Sequence, residues 1–448
     1  MAYLAGPVLV QQTLNLLVGL VDTFLTGNFV PGEAPMAAIG LMAYTMWLIP
    51  SMFASIAIGA TAMVARFVGG EEQSLATQVT NQALLCGIGL AVVITGLFIT
   101  FDEQFIVGMG LEPDAAEYAL RYLRYLIYAI PAVMIIQVGN ACLRGAGDTV
   151  AGFIAMAGVN VVNVTVSAIL ATGSFGAPNL GFDGMAIGTM VGHYVGATII
   201  LGMLIGGRHG LKLSWREMAP NGDLIKRLFK VGLPGGADMA AVLGCHLLFV
   251  RMITDLGTLQ TSAHMLAVRV ESIGYLPGTA FQVAAGTMAG QYLGAGDFKR
   301  ASRSVKVAVI AGMTMMCAAG LLFFFGAEWL TALFTGNSGN ATGAAAIPLL
   351  KIAAFAMPFM AMTMIFSGAL RGAGDTRWPL IITLIGFLVI RIPLTTWMID
   401  TPRELPFFDA PLPTGIVGAW YATVADLAIR SILSASRFLH GGWKKAKV

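Results

Sequence analysis

Charge is scarce in this sequence. Only 11% of its 448 residues are Asp, Glu, Lys or Arg, whereas 57% are hydrophobic. Soluble domains carry roughly 25% charged residues. The composition therefore excludes an ordinary soluble enzyme or binding module. The formal net charge of +3 is also too small to indicate a nucleic-acid partner, and we expect none.

Residues that bind metals or form disulfides are few as well. The histidines are scattered, and no G-K-[ST] phosphate-binding motif occurs. The cysteines lie in or at the ends of apolar runs, without the spacing of a zinc site: Cys86, Cys142, Cys245 and Cys317. A membrane enzyme would need clustered acids, histidines or a nucleophile near the membrane interface, and the sequence has no such cluster. We therefore expect no metal, no organic cofactor and no enzymatic activity.

In place of polar sequence, the chain has long apolar runs. A run of about 18 or more apolar residues can cross a bilayer as a helix. Twelve such runs occur, near residues 3–27, 37–66, 75–101, 118–143, 149–172, 183–206, 229–253, 259–290, 304–326, 346–370, 377–399 and 415–438. They predict an all-α polytopic membrane protein with twelve transmembrane helices, numbered here as spans one to twelve.

One short motif occurs twice. Cys142–Thr149 reads C-L-R-G-A-G-D-T and Ala369–Thr376 reads A-L-R-G-A-G-D-T, each with a proline upstream at the same distance. Such repetition indicates a duplicated unit. With six spans per copy, both copies enter the membrane in the same direction and form a parallel internal repeat.

The repeat predicts two six-helix lobes. Residues 1–206 form the N-terminal lobe, 207–228 a cytoplasmic interlobe loop, and 229–448 the C-terminal lobe with a short basic tail. Lys and Arg collect in the loops on one side of the membrane, whereas the opposite loops are acidic, with Asp400 and Asp409 among their acids. By the positive-inside rule, both termini are cytoplasmic in a multi-pass protein of the inner (cytoplasmic) membrane.

Polar residues inside spans are functional candidates because burying them in lipid is costly. Asp22 lies in the outer half of span one, at about 1.5 Å of rise per residue. Asn163 and Ser167 lie one turn apart in span five at a similar depth, and Thr189 lies two turns into span six. A buried carboxyl among oxygen donors can hold a proton or bind a sodium ion. The alternative is that these side chains only hydrogen-bond neighbouring helices.

The second half has its own candidates. Glu271 lies in the middle of span eight, Asp238 lies in the inner third of span seven, and Gln282 follows in span eight. Each acid is a coupling group or a paired structural acid.

Prolines and the glycine-rich turns are candidates for mechanical roles. Prolines inside spans remove a backbone hydrogen bond, so they act as hinges or only shape the bundle. The hinge candidates are Pro7, Pro131, Pro234 and Pro358. At the repeated turns, Arg144 with Asp148 and Arg371 with Asp375 are predicted to bond exposed helix ends rather than a nucleotide.

Several motifs together resemble the multidrug and toxic compound extrusion (MATE) family, prokaryotic type. They are L-A-G-P-V, V-D-T-F-L-T-G, the paired L-R-G-A-G-D-T, and A-H-M-L-A-V-R-V-E-S-I-G-Y-L-P-G. The resemblance covers essentially the whole chain. It implies a proton- or sodium-coupled antiporter that exports organic, often cationic and amphipathic, drugs. Its expected partners are these small molecules and the lipid bilayer, and we expect a monomer.

The resemblance also implies a coupling site. The family's span-one acid is matched by Asp22, and its Asn and Thr by Asn163 and Thr189. Ser167 stands where the family has a second acid, which removes a charge from the ion site. The span-eight acid of the family is matched by Glu271.

A flippase for lipid-linked sugars of the same superfamily is the alternative. Its central cavity would be more cationic, and Arg269 and Arg391 are the span arginines that hint at one.

Overall fold

The structure, a computed structural model, describes residues 1–30, 32–336, 340–399 and 414–446. Asp400, Asp409 and the last two residues of the predicted second lobe lie outside these ranges. The described residues are helical and contain no strand. The helices are α1 Ala2–Phe29, α2 Glu33–Met52, α3 Ala54–Gly69, α4 Gln73–Gly108, α5 Pro113–Gly145, α6 Val150–Thr172, α7 Phe182–Ile205, α8 Gly222–Thr254, α9 Thr258–Gly274, α10 Leu276–Gly294, α11 Phe298–Thr335, α12 Ala341–Gly372, α13 Arg377–Leu384, α14 Ile392–Ile399 and α15 Gly415–His440. A π-helical segment, Ile385–Arg391, joins α13 to α14.

The predicted spans are confirmed as helices. Eleven helices within the described ranges are long and apolar enough to cross a membrane by length and composition. The remaining predicted span, span eight, is divided at Tyr275 into α9 and α10. Pro277 lies in the first turn of α10, where its missing N–H is no loss. Span two is divided similarly at Phe53 into α2 and α3.

The chain separates into two compact units, residues 2–236 and the residues from Ala237 onward, with the division inside α8. The repeated features lie at equivalent places in the two copies of the sequence repeat. Pro7 and Pro131 lie inside α1 and α5, and Pro234 and Pro358 lie at one constant offset further along, inside α8 and α12. The hinge role of these prolines stays a prediction.

Among the helices long and apolar enough to cross a membrane, α5 (span four) is the most buried of the first unit and its repeat-equivalent α12 is the most buried of the second. Tyr122, Ile130 and Met134 of α5 are almost fully enclosed. Large apolar side chains such as Phe24 and Phe325 face outward from neighbouring helices. In a bilayer this outer apolar surface is covered by lipid, so polar groups collect inside each bundle.

The predicted interlobe loop is fastened to α4 by buried amides. Asn81 donates to the carbonyl of Lys212 at 3.0 Å and accepts from the N–H of Ser214 at 3.0 Å. Gln82 donates to the carbonyls of Glu217 and Ala219, both at 2.8 Å. These bonds satisfy loop backbone groups that would otherwise be unpaired.

The repeated turns bond differently from the prediction. Asp148 does cap a helix end, because its Oδ1 accepts from the N–H groups of Val150 and Ala151 at 3.1 Å. Its charge partner, however, is Arg208, which follows span six. The carboxylate of Asp148 raises the pKa of the Arg208 guanidinium, so this arginine keeps its charge.

The second turn repeats this arrangement. Asp375 pairs with Arg437 of span twelve at 2.7 Å. Arg371 pairs instead with Asp238, which is fully buried and needs a counter-charge. In both units, the turn's acid therefore ties the fourth and fifth spans to the end of the sixth.

Candidate functional site

A glycine ladder on α7 brings span six against span five. Gly184, Gly188, Gly192 and Gly196 recur every four residues, which places them on one face of the helix. A Cβ at Gly192 would lie 2.9 Å from the carbonyl oxygen of Val159, and one at Gly188 would overlap Ser167. Small residues at such spacing let two membrane helices approach closely.

This close approach places Thr189 beside Asn163 and completes a polar cluster around Asp22. Thr189 Oγ1 donates to Asp22 Oδ2 at 2.9 Å, and Asn163 Nδ2 lies 2.8 Å from Thr189 Oγ1 and 3.5 Å from Asp22 Oδ1. All three side chains are at most 1% exposed. The structure therefore brings together three of the predicted residues.

Tyr122 is a fourth member that sequence reasoning missed. Its hydroxyl donates to Asp22 Oδ2 at 2.6 Å and lies 3.2 Å from Thr189 Oγ1. Tyr122 lies on α5 within an apolar run, where a tyrosine is usually interpreted as a residue of the hydrophobic core. Its hydroxyl could have indicated a polar role, because a buried tyrosine O–H usually has a hydrogen-bond partner.

Ser167 lies at the edge of the cluster. Its Oγ is 3.5 Å from Asn163 Nδ2 and donates to the carbonyl of Met185 at 3.4 Å. No hydrogen bond joins it to Asp22 among the described residues. At the position where the resemblance implies a second acid, this chain thus has a neutral oxygen that does not contact the Asp22 carboxylate directly.

The cluster is rich in oxygen and lacks a counter-charge. No Lys or Arg in the described ranges lies within ion-pair distance of Asp22. Asn163 Oδ1 is buried without a hydrogen-bond partner, so one further oxygen is open to a ligand. A carboxylate surrounded by hydroxyl and amide oxygens can take up a proton or a hard cation.

The second-unit candidates do not form a comparable site. Asp238 is held by Arg371 at 2.6 Å, Glu271 has no ion-pair partner within the described residues, and Gln282 packs against Gly368. Within the described part of the chain, no hydrogen bond joins these three candidates. Sequence reasoning also missed two buried charges of span twelve, Asp426 and Arg430. Asp426 forms ion pairs with both Arg430 and Arg391.

An open cleft of about 860 Å³ lies between the first turns of α2 and α5. Its lining includes four acidic residues: Glu33, Glu112, Asp114 and Glu117. Asp22 does not line it, but Tyr118 does, one helical turn before Tyr122. The cleft is therefore a negatively charged recess near the Asp22 cluster.

Comparison with known proteins reproduces the duplication. The family model described as MatE matches twice, at residues 7–169 and 234–397. A probable multidrug resistance protein NorM of Thermotoga maritima is 27% identical over 99% of this chain and 93% of its own length. The multidrug resistance protein NorM of Photobacterium profundum is 26% identical over 97% of this chain and 93% of its own.

The fold is likewise that of solved structures. An outward-facing multidrug resistance MATE family transporter of the MOP superfamily superposes with a TM-score of 0.89. It is 21% identical, and the match covers 99% of this chain and 96% of the other. This likeness concerns the fold.

Proposed function

The chain belongs to the MatE family, and from this premise we propose that it is a cation-coupled antiporter that exports organic, often cationic and amphipathic, drugs by alternating access. The names of its relatives support multidrug export. The observation that carries the coupling is the Asp22 carboxyl, buried among hydroxyl and amide groups with no cation beside it.

The coupling follows from the cost of an unpaired charge at this depth. An ionised Asp22 in the membrane interior is unfavourable by at least about 2.5 kcal/mol. Binding a proton or a sodium ion removes that charge, and releasing it restores the charge. If the loaded and empty states favour different facing conformations, the ion gradient shifts their populations. A drug that favours the opposite state is then exchanged for the ion.

The acidic cleft supports entry of a cation from the outer side. Negative charge lining a recess raises the local concentration of cations. The residues of the Asp22 cluster suit either ion, since Asn163 Oδ1 is unpaired and Ser167 adds an oxygen but no charge. With one carboxylate in the cluster, one proton or one sodium ion neutralises it.

The proposal also covers the protein's location and oligomeric state, and it includes no catalysed reaction. We place it in the inner (cytoplasmic) membrane as a monomer, with neither cofactor nor enzymatic step, exchanging a proton or sodium ion for its organic substrate. The alternative remains a flippase for lipid-linked sugars. Arg269 and Arg391 are the two span arginines that favoured this alternative. Arg391 forms an ion pair with Asp426 at 2.7 Å, so it would attract a lipid phosphate less strongly.

Efflux from everted vesicles tests the function. With a proton or a sodium gradient imposed one at a time, we expect at least one gradient to drive a fluorescent organic cation across the membrane. Vesicles without the protein are the control. Absence of transport under both gradients, together with movement of a lipid-linked sugar, would favour the flippase.

Cysteine labelling tests the topology. In a cysteine-free background, a thiol at the exposed Trp215 of the interlobe loop should be unreachable to an impermeant maleimide in intact cells. A thiol at the exposed Glu33, before span two, should react. The physical reason is the positive-inside bias of the Lys- and Arg-rich loop. The opposite labelling pattern would invert the orientation.

A further inference from the structure

The interlobe loop presents a tryptophan that the protein itself leaves uncovered. Trp215 opens the short 3₁₀ helix Trp215–Met218, and its side chain is 91% exposed. Within the described part of the chain it has neither a hydrogen bond nor a ring contact. Tryptophan is highly buried on average in soluble proteins and is enriched where a membrane meets water. The exposure of Trp215 therefore indicates a contact outside the chain.

The second half of the chain shows the contrasting arrangement. It also has a 3₁₀ helix after its last span, Gly442–Lys445, and this helix also contains a tryptophan. Trp443 is fully buried: its ring stacks on Phe438 with centroids 5.1 Å apart, and its Nε1 donates to the carbonyl of Phe438 at 2.8 Å. The protein thus covers one of these two tryptophans itself and leaves the other open.

The backbone on both sides of Trp215 is fixed to α4. The N–H of Ser214, the preceding residue, donates to Asn81 Oδ1 at 3.0 Å, and Gln82 Nε2 donates to the carbonyl of Glu217 at 2.8 Å. Both of these amide side chains are buried. The loop is therefore ordered at this point, and it holds the indole ring at a constant height along α4.

That height is the level at which α4 becomes apolar. After Gln82, the next 19 residues, 83–101, contain no charged or amide side chain, and Asp102 follows them. At about 1.5 Å per residue they extend about 28 Å, close to the roughly 30 Å of a bilayer's hydrocarbon core. Asn81 and Gln82 thus mark one boundary of the apolar stretch, and Trp215, which they hold, lies at the membrane surface.

The loop around this tryptophan is basic. Lys212 and Arg216 flank it, and both are exposed and without an ion-pair partner among the residues that the structure describes. The stretch 206–230 has six Lys or Arg and only two acids, Glu217 and Asp223. Basic side chains near a membrane surface attract anionic lipids, so the loop complements a negatively charged headgroup.

We propose that Lys212, Trp215 and Arg216 form a binding surface for the headgroup of an anionic phospholipid such as phosphatidylglycerol. The indole ring lies at the boundary of the acyl chains, and the two basic side chains attract the net negative charge of the headgroup. This contact anchors the loop that joins the two predicted lobes to the bilayer surface. It does not depend on which ion or organic molecule is exported.

Quenching of tryptophan fluorescence by brominated lipid tests the surface without any transport. The full-length protein is reconstituted in phosphatidylcholine bilayers, into which phosphatidylglycerol or phosphatidylcholine brominated near the headgroup end of its acyl chains is titrated. The signal of Trp215 is the difference between the wild type and Trp215→Phe. We expect brominated phosphatidylglycerol to reach half-maximal quenching at a mole fraction about fivefold lower or more, because each basic residue near an anionic surface contributes about that factor.

The double variant Lys212→Gln with Arg216→Gln should bring the two half-maximal mole fractions together. Arg303→Gln with Lys306→Gln, at two exposed cations of α11, removes the same charge elsewhere and should leave the difference intact. Equal quenching by the two lipids in the wild type, or a preference that survives the loss of Lys212 and Arg216, would overturn the surface. Loss of the preference on adding millimolar inorganic phosphate at constant ionic strength would reassign it to free phosphate.

Discussion

Replacing Asp22 with asparagine is expected to reduce gradient-driven efflux to the level of vesicles without the protein. Asparagine has nearly the same shape, and its carbonyl oxygen can still accept from Tyr122 and Thr189. The variant should therefore fold and reach the membrane. The asparagine side chain cannot gain or lose a proton, and it has no negative charge to balance a bound cation. The coupling step is thus removed while the packing stays intact.

The measurement is uptake of an organic cation into everted vesicles under separate proton and sodium gradients, with the amount of folded protein determined alongside. Asp255→Asn, at an exposed acid between α8 and α9 and outside both the Asp22 cluster and the acidic cleft, is the matched control and should transport. Wild-type rates for Asp22→Asn under both gradients would make Asp22 a structural residue. Glu271 would then be the better coupling candidate, because Asp238 is already neutralised by Arg371.

Replacing Asp238 with asparagine is expected to destabilise the protein strongly. The carboxylate is fully buried and accepts from Arg371 at 2.6 Å. Removing it leaves a guanidinium, 14% exposed, without a counter-charge. Loss of one partner of a buried ion pair typically costs about 3–5 kcal/mol. We expect a marked fall in folded yield and in the apparent melting temperature measured in detergent.

Asp223→Asn is the matched control, since Asp223 lies on the same helix, is 78% exposed and pairs only loosely with Arg227, at 3.9 Å. It should melt as the wild type does. The double variant Asp238→Asn with Arg371→Gln should recover part of the lost stability, because no unpaired charge remains. Failure of the double variant to recover any would indicate that packing, and not charge, is what Asp238 contributes.

The sequence alone predicted the protein class (a polytopic membrane protein), the positions of the spans and the internal duplication. A helix that crosses a bilayer needs a continuous apolar run, so its position is a local property of sequence. The repeated turns likewise revealed the two copies that the MatE match later delimited. The depth of Asp22, Asn163 and Thr189 was also readable, because rise per residue converts position in a span into height. The regularly spaced glycines of span six can also be seen in the sequence. The sequence does not show that the helix packed against them is α6.

Which faces meet is decided only in three dimensions. The apolar run around Tyr122 predicts that this residue is buried, but not which helices it contacts. Only the packing of α1, α5, α6 and α7 places its hydroxyl against Asp22. The charge partners of Asp148 and Arg371 lie far along the chain, at Arg208 and Asp238. Asp426 and Arg430 read as isolated charges until the fold sets Arg391 beside them. Sequence by itself determined which residues lie at a given depth in the membrane, because depth follows from chain length within a span. Tertiary structure alone decided which of them touch, because lateral contact depends on the close approach of helices that are distant in sequence.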